Sequence, residues 1–114
     1  MFILLFSFAF NFNIIKTRKL KNGLEFIVMD IVNNKSKKDI RIINTYLHPK
    51  AKKEQIEEMG IYMNNVTVLV GDFNAHHESW SIGKPNTQGQ DLKNFVDKNN
   101  IKILNKKSTG KLIL

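Results

Sequence analysis

The fold of this chain is decided by the stretch VTVLVGDFNAHHESW, which spans residues 66–80. Its first five residues are apolar or β-branched, as in a strand that is buried on both faces. The strand pattern stops at Gly71, and carboxylate, amide and imidazole side chains follow within a few residues. Ligands and reacting groups collect at strand ends in layered α/β folds. The stretch therefore predicts a buried strand that leads into a polar site.

Further elements are predicted on both sides of this strand by hydrophobic periodicity and turn residues. The sequence predicts strands over 10–15, 24–32, 40–47, 66–70 and 101–104, and helices over 51–59 and 88–98. The second and third strands are expected to form an antiparallel hairpin, since their connection is too short for a crossover helix. Gly60 is expected to end the first helix, and Asn86 or Thr87 to cap the second. This order predicts a mixed α/β fold with helices covering a sheet.

The first ten residues are almost wholly apolar. They are too few to cross a bilayer, which takes about 20 residues in a helix. The Ser7-Phe8-Ala9 pattern is typical of a signal-peptide cleavage site, but no Lys or Arg precedes the apolar run. We interpret this segment as a buried strand that continues into 10–15, with a signal peptide as the alternative. A nuclear or cytoplasmic location is accordingly favoured over secretion.

The composition is that of one small globular domain with an excess of positive charge. The chain has 114 residues, of which 42% are hydrophobic and 25% charged, which argues against disorder. It has no cysteine, so disulfides and thiolate metal sites are excluded. The net charge of +8 leaves two interpretations open. The lysines contact phosphate backbones, or they are solvated loop residues that keep the chain soluble.

Asp72 and Asn74 carry side chains suited to phosphodiester hydrolysis. A metal-assisted hydrolase needs a carboxylate for the attacking water, neutral donors for the phosphate oxygens, and oxygen ligands for a hard cation. Residues two apart in an extended chain point the same way, so both side chains could face one reaction centre while Phe73 packs behind them. The alternative is a turn in which these side chains bond their own backbone.

Several stretches together carry a resemblance to a known family. They are INTYLHP (43–49), GDFNAH (71–76), Trp80 with NTQG (86–89), and the helix and strand pattern over 95–105. The asparagine–tyrosine strand and the Gly-Asp-Phe-Asn-Ala-His run are similar to the endonuclease/exonuclease/phosphatase family. The tryptophan and its following Asn-x-x-Gly spacing resemble most the endonuclease domain of non-LTR retrotransposon polyproteins.

The resemblance implies a fold and a set of roles. It is clearest over 24–105 and implies that 1–114 is a partial domain, a two-layered α/β sandwich with a mixed sheet and helices on one face, lacking N-terminal and C-terminal strands. Asp72 would position or activate the attacking water, and Asn74 would donate to the scissile phosphate. Tyr46 would place its hydroxyl on a phosphate oxygen. Without the resemblance, Tyr46 is interpreted as an ordinary strand tyrosine whose hydroxyl contacts solvent.

Two parts of the family's site have no counterpart in this sequence. They are the metal-binding glutamate of an upstream strand and the Asp-His pair of a C-terminal strand. The resemblance implies Mg²⁺ for the complete domain, and no residue here is assigned as a metal ligand. The carboxylates of Glu25, Asp30 and Asp39 lie on other elements. Losing several members of a catalytic unit removes nearly all its rate enhancement. We therefore expect a fragment of a DNA endonuclease that is weak or inactive alone.

The expected partners are DNA and the remainder of a polyprotein or the missing strands, with no membrane. His76, Lys50 and Lys84 are predicted to contact DNA. His76 and His77 are adjacent, and adjacent side chains on an extended chain point apart, so they are not expected to share a metal. Trp80 is expected to anchor the packing. Two other functions stay open: a non-catalytic basic nucleic-acid-binding remnant, and a phosphatase of the same family.

Overall fold

A mixed five-stranded sheet organises the residues that the structure describes. The computed structural model describes residues 11–19, 24–32, 39–104 and 111–113, and the apolar segment 1–10 lies outside them. In chain order the elements are β1 (Asn11–Lys19), β2 (Leu24–Val32), β3 (Asp39–Leu47), α1 (Lys53–Glu58), a 3₁₀ turn (Met59–Tyr62), β4 (Thr67–Asp72), α2 (Thr87–Lys98) and β5 (Lys111–Ile113). The described strands lie side by side in the order in which they occur in the chain.

The strand directions follow from the lengths of the connections. β2 pairs antiparallel with β1 and with β3, which confirms the predicted hairpin. β3 and β4 are parallel, and a parallel pair needs a crossover. Helix α1 and the 3₁₀ turn form part of that crossover. The carboxyl ends of β3 and β4 therefore meet at one edge of the sheet.

One face of the sheet packs against both helices. Every second side chain of the central strands is buried there, and these residues are Leu24, Phe26, Val28, Ile43, Thr45, Leu47 and Leu69. Ile56 of α1 and Leu92, Phe95 and Val96 of α2 belong to the same cluster. Burying one such side chain stabilises the fold by about 2 kcal/mol. The predicted mixed sheet with helices on one face is confirmed.

An ion pair lies on this helix-covered face, at the end of the hairpin away from the β3 carboxyl terminus. Asp30 and Arg41 are opposite each other in the β2–β3 register. Arg41 donates from Nε and Nη2 to the two carboxylate oxygens, at 2.8 and 3.0 Å, and from Nη1 to the Tyr62 carbonyl oxygen at 2.9 Å. The hydrogen bonds and positive charge of Arg41 hold the pKa of Asp30 below its ordinary value, although burial acts in the opposite direction.

The sequence placed several boundaries wrongly. Residues 101–104 form no strand, and the strand that pairs with β4 is β5, which lies opposite residues 70–72. Gly60 does not end the helical segment, since it lies within the 3₁₀ turn that continues to Tyr62. Buried Met59 and the Tyr62 ring, 5.2 Å from that of Phe26, hold this turn against the sheet.

Three other boundaries shift modestly or agree. The strand predicted over 66–70 runs on to Asp72, and the one predicted over 10–15 is β1 (Asn11–Lys19). Asn86 caps α2, its side-chain oxygen accepting the Gly89 amide at 2.7 Å, so the choice between Asn86 and Thr87 is resolved. No helix in the described ranges is long and apolar enough to cross a membrane.

Candidate active site

A row of polar residues crosses the sheet at the carboxyl ends of β3 and β4. Glu25 on β2 lies opposite Tyr46 on β3, and Tyr46 lies opposite Asp72 on β4. Directly opposite residues on neighbouring strands, about 4.8 Å apart, project from the same face. Alternation along each strand places this row on the face away from the helices. Tyr46 and Asp72, predicted from separate motifs, are therefore neighbours.

The backbone leaves its extended conformation at Asn74, just after β4 ends. Oδ1 of Asp72 accepts the amide of Asn74 at 3.2 Å, and Asn74 has a φ of +46°. Asparagine is one of the few residues that adopt this left-handed conformation readily. The extended geometry predicted for residues 72–74 is thus wrong at Asn74, whose φ is left-handed and whose amide donates to the Asp72 carboxylate. The turn alternative is present, and it brings Asn74 back toward β3.

The Asn74 side chain is fixed at the end of β3. Its Nδ2 donates to the carbonyl oxygen of Leu47 at 2.7 Å, and Leu47 directly follows Tyr46. A primary amide has two N–H donors, so one remains for a ligand. Asp72, Tyr46 and Asn74 thus meet at one sheet edge, with a carboxylate, a hydroxyl and an amide donor available there.

The loop after β4 is tied to the start of α2. Gln88 Nε2 donates to the carbonyl oxygen of buried Phe73 at 2.7 Å. The Asn86 side-chain oxygen accepts the amide of His76 at 3.0 Å. Trp80 is fully buried and donates from Nε1 to the Ala75 carbonyl oxygen at 2.9 Å. The interpretation of Trp80 as a packing anchor is confirmed, and these bonds hold the loop that carries Asn74.

The predicted DNA contacts lie in loops around this edge. Lys50 is exposed in the turn after β3, Lys84 is exposed in the loop before α2, and His76 is half-buried. Among the described residues, no hydrogen bond or ion pair joins their side chains to those of the three catalytic candidates. His77 has a structural role instead, because its Nδ1 accepts the Ser79 amide at 3.0 Å and its ring lies 5.2 Å from that of Trp80.

Two residues at this edge were missed by the sequence analysis. The ring of His48 lies edge-on to the Tyr46 ring, with centroids 4.9 Å apart. His48 Nε2 is 3.8 Å from Oε2 of Glu25. The only signal for this pair is the hairpin register, which brings Glu25 opposite Tyr46. That register depends on matching the buried residues of β2 with those of β3, and local patterns do not establish it.

The described residues do not form a magnesium site alone. Mg²⁺ requires several oxygen ligands in near-octahedral geometry. Within the ranges that the structure describes, no three Asp, Glu, His or Cys side chains are placed to hold a metal ion. One oxygen of Asp72 already accepts the Asn74 amide, and Glu25 faces His48. Any cation at this edge would need ligands from elsewhere.

Comparisons with known proteins agree with this geometry. A family model described as "Endonuclease-reverse transcriptase" matches residues 40–113. Among solved structures, the chain resembles "Endonuclease domain of TRAS1, a telomere-specific non-LTR retrotransposon", with a TM-score of 0.71 and 17% identity. The match covers 96% of this chain and 55% of that one, so the chain spans about half the length of the solved domain. A search of curated proteins gives no match.

Proposed function

This chain belongs to the endonuclease–reverse transcriptase family, and we propose that it is part of a Mg²⁺-dependent endonuclease that nicks target DNA for a non-LTR retrotransposon. The reaction is hydrolysis of a DNA phosphodiester. The water oxygen forms a bond to phosphorus, the bond from phosphorus to one sugar oxygen breaks, and that oxygen leaves as a hydroxyl. The convergence of Tyr46, Asp72 and Asn74 at one sheet edge is the observation that carries this proposal.

The proposed roles follow from the groups that each side chain offers. The Asp72 carboxylate orients the attacking water or accepts its proton. The remaining N–H of Asn74 and the Tyr46 hydroxyl donate to phosphate oxygens, where negative charge increases in the transition state. The bond from Asn74 to the Leu47 carbonyl oxygen fixes the amide before substrate arrives. Such preorganisation is worth several kcal/mol in comparable oxyanion sites, at about 3 kcal/mol per donor.

We also propose that residues 1–114 form only part of the nuclease domain. The chain spans 55% of the solved domain it resembles. The described residues lack a set of magnesium ligands. The face bearing the candidate site also bears the half-buried apolar side chains of Ile42, Val68 and Val70, while both helices lie on the other face. Further chain packed on this face would supply the missing ligands, and the 114-residue chain alone is weak or inactive.

A plasmid-nicking assay with Mg²⁺ tests both statements. The pure 114-residue chain should nick supercoiled plasmid at background rate. The same chain, extended by the sequence flanking it in its reading frame, should nick the plasmid, and Asp72→Asn should abolish this activity. Asp97→Asn, on the exposed side of α2, is the control that retains it. Robust nicking by the short chain contradicts the inactivity, and an extended chain without Asp72-dependent nicking overturns the endonuclease assignment.

The net charge of +8 favours a second candidate, a basic domain that binds nucleic acid without cleaving it. Its affinity for DNA would fall steeply with salt, because each phosphate contact releases counterions. It differs from the first candidate because its affinity for DNA would not depend on Asp72 or Asn74. An Asn74→Ala variant that binds DNA with unchanged affinity and at the same surface would support this second candidate. No corresponding observation favours a phosphatase.

A further inference from the structure

We propose that Glu25 and His48 form a carboxylate–imidazole pair that gives the candidate site a further contact to a DNA phosphate. His48 is the group that binds the phosphate, and Glu25 is the residue that positions it. This inference rests on the proposed function, since it takes the phosphate to be part of a DNA backbone. The sequence analysis assigned no role in the site to either residue, although His48 lies within the 43–49 stretch that contains Tyr46.

The geometry places His48 where a phosphate held by Tyr46 would lie. The imidazole packs edge-on against the Tyr46 ring at a centroid distance of 4.9 Å and an interplanar angle of 77°. Tyr46 in turn lies opposite Asp72 in the β3–β4 register. The His48 side chain is 35% exposed, so it can meet a ligand from solvent. It follows β3 directly, at the same sheet edge as the other candidates.

Glu25 restricts the orientation of the imidazole. Oε2 of Glu25 is 3.8 Å from Nε2 of His48, and its side chain is 17% exposed. A neighbouring carboxylate fixes the orientation of an imidazole ring. With Nε2 facing Glu25, Nδ1 is the ring nitrogen directed to other groups, and within the described part of the chain no partner for it is found. An imidazolium N–H is a strong donor to a phosphate oxygen.

Other polar and charged residues are close to the pair in the chain or in the strand register. Lys50 follows His48 by two residues and is exposed. Lys19 of β1 lies opposite Glu25 in the register. The Tyr46 hydroxyl belongs to the same row. A test must therefore separate one specific contact from the general attraction of a basic surface for DNA.

Binding of a labelled DNA duplex without Mg²⁺, measured by fluorescence anisotropy over a range of NaCl concentrations, provides that separation. At pH 5.5, His48→Gln should weaken binding about fivefold, equivalent to about 1 kcal/mol. It should also reduce the slope of log affinity against log salt by about 0.9, the value for one phosphate contact. His48→Lys should keep the steep slope, because it retains a cation at this position.

Lys98→Gln is the matched control for general loss of charge. Lys98 is exposed at the end of α2, and the next residues line a groove with Thr67 and Val68 at the start of β4. It is therefore at the other end of the sheet from Asp72. This variant should change neither the affinity nor the slope by as much as His48→Gln does. Equal effects of the two variants would overturn a specific contact.

Glu25→Gln distinguishes positioning from simple electrostatics. Removing an anion near DNA should tighten binding if only net charge matters, whereas loss of positioning should weaken it about threefold. The effect should vanish in the His48→Gln background, as a double-mutant cycle requires for coupled residues. Exposed Glu57→Gln on α1 is the control. Tighter binding by Glu25→Gln, or an equal effect in both backgrounds, overturns the pair.

The outcomes separate this inference from the proposed function. If wild-type protein binds DNA and His48→Gln has no effect, the pair is excluded and the nuclease proposal stands on its own assay. If the wild-type chain does not bind DNA, the His48 contact is excluded, and the nuclease proposal is decided separately by nicking with the extended chain. Duplex can be competed with inorganic phosphate at equal ionic strength. Loss of the His48 effect at low millimolar phosphate would identify a general phosphate site and contradict recognition of a DNA backbone.

Discussion

Tyr46 and Asp72 stand directly opposite each other in the parallel pair formed by β3 and β4. They come from motifs 26 positions apart in the sequence, and the parallel register brings them to one edge. The preceding register pair, Thr45 and Gly71, is packed so closely that the position of Asp72 depends on it.

Gly71→Ala should disrupt this register. Gly71 has a φ of +151°, and a Cβ at this position would overlap the carbonyl oxygen of Thr45. L-residues rarely adopt this conformation, so we expect a loss of about 3 kcal/mol in the free energy of unfolding. Urea denaturation measures it. Gly60→Ala is the control, because its added Cβ would be 3.4 Å from the Phe95 ring, and it should change stability by less than about 1 kcal/mol.

If Gly71→Ala leaves the unfolding midpoint unchanged, the close approach of β3 and β4 is wrong. The same result would remove the structural basis for placing Tyr46 beside Asp72.

Asn86→Ala should destabilise the loop and the helix together, although the residue is exposed. Its side-chain oxygen accepts the amides of His76 at 3.0 Å and Gly89 at 2.7 Å, and its Nδ2 donates to the Asn74 carbonyl oxygen at 3.3 Å. Loss of an N-cap costs about 1 kcal/mol, and the loop bonds raise our expectation to about 2 kcal/mol. Thermal unfolding monitored by circular dichroism measures it.

Asn94→Ala provides the comparison for Asn86→Ala. Asn94 is an exposed residue of α2 whose side-chain oxygen accepts a hydrogen bond from Gln90 Nε2, so its replacement should cost less than about 0.5 kcal/mol. Equal losses for the two variants would contradict the bridging role of Asn86.

Acid should weaken the fold partly through Asp30. Its pKa is held below the ordinary value of 3.8, chiefly by the hydrogen bonds from Arg41. A lowered pKa in the folded state stabilises the protein fully above the unfolded-state pKa, and this stability is lost as the pH falls through the folded-state pKa. The free energy of unfolding should therefore fall less between pH 5 and pH 2.5 in Asp30→Asn than in the wild type.

Asp97→Asn is the control for the acid series. Asp97 pairs with Lys93 on the surface of α2 at 2.7 Å, where an ion pair contributes little. This variant should follow the wild-type pH dependence. An Asp30→Asn variant as acid-sensitive as the wild type would show that the Arg41 pair does not contribute to acid stability.

The parts of the fold that the sequence predicted well are those set by local signals. Periodic apolar residues and the Asn86 cap specify α2, and the β-branched run specifies β4. Residues 101–104 form no strand although they are apolar in part, because a strand also requires a pairing partner that a local pattern does not specify. The 3₁₀ turn around Gly60 likewise depends on contacts of Met59 and Tyr62 with distant residues.

In the candidate site, too, some features are set by local sequence signals and others by contacts between distant residues. Local patterns drew attention to Asp72 and Asn74, but the hydrogen bond from the Asn74 amide to Asp72 decides how the chain turns there. The pair of Glu25 and His48 requires the register of β2 with β3. Register is determined by which buried residues face each other across the hairpin, and no short motif encodes it.

The most direct test of the central claim is a backbone-amide NMR titration of the 114-residue chain with a short DNA duplex. If Tyr46, Asp72 and Asn74 bind one phosphate, the largest changes in amide chemical shift should be those of residues 46–48 and 72–76. Residues 98–102, at the other end of the sheet, should shift little. Shifts that avoid Tyr46, Asp72 and Asn74 while concentrating over 98–102 or spreading evenly over the lysines would contradict the account.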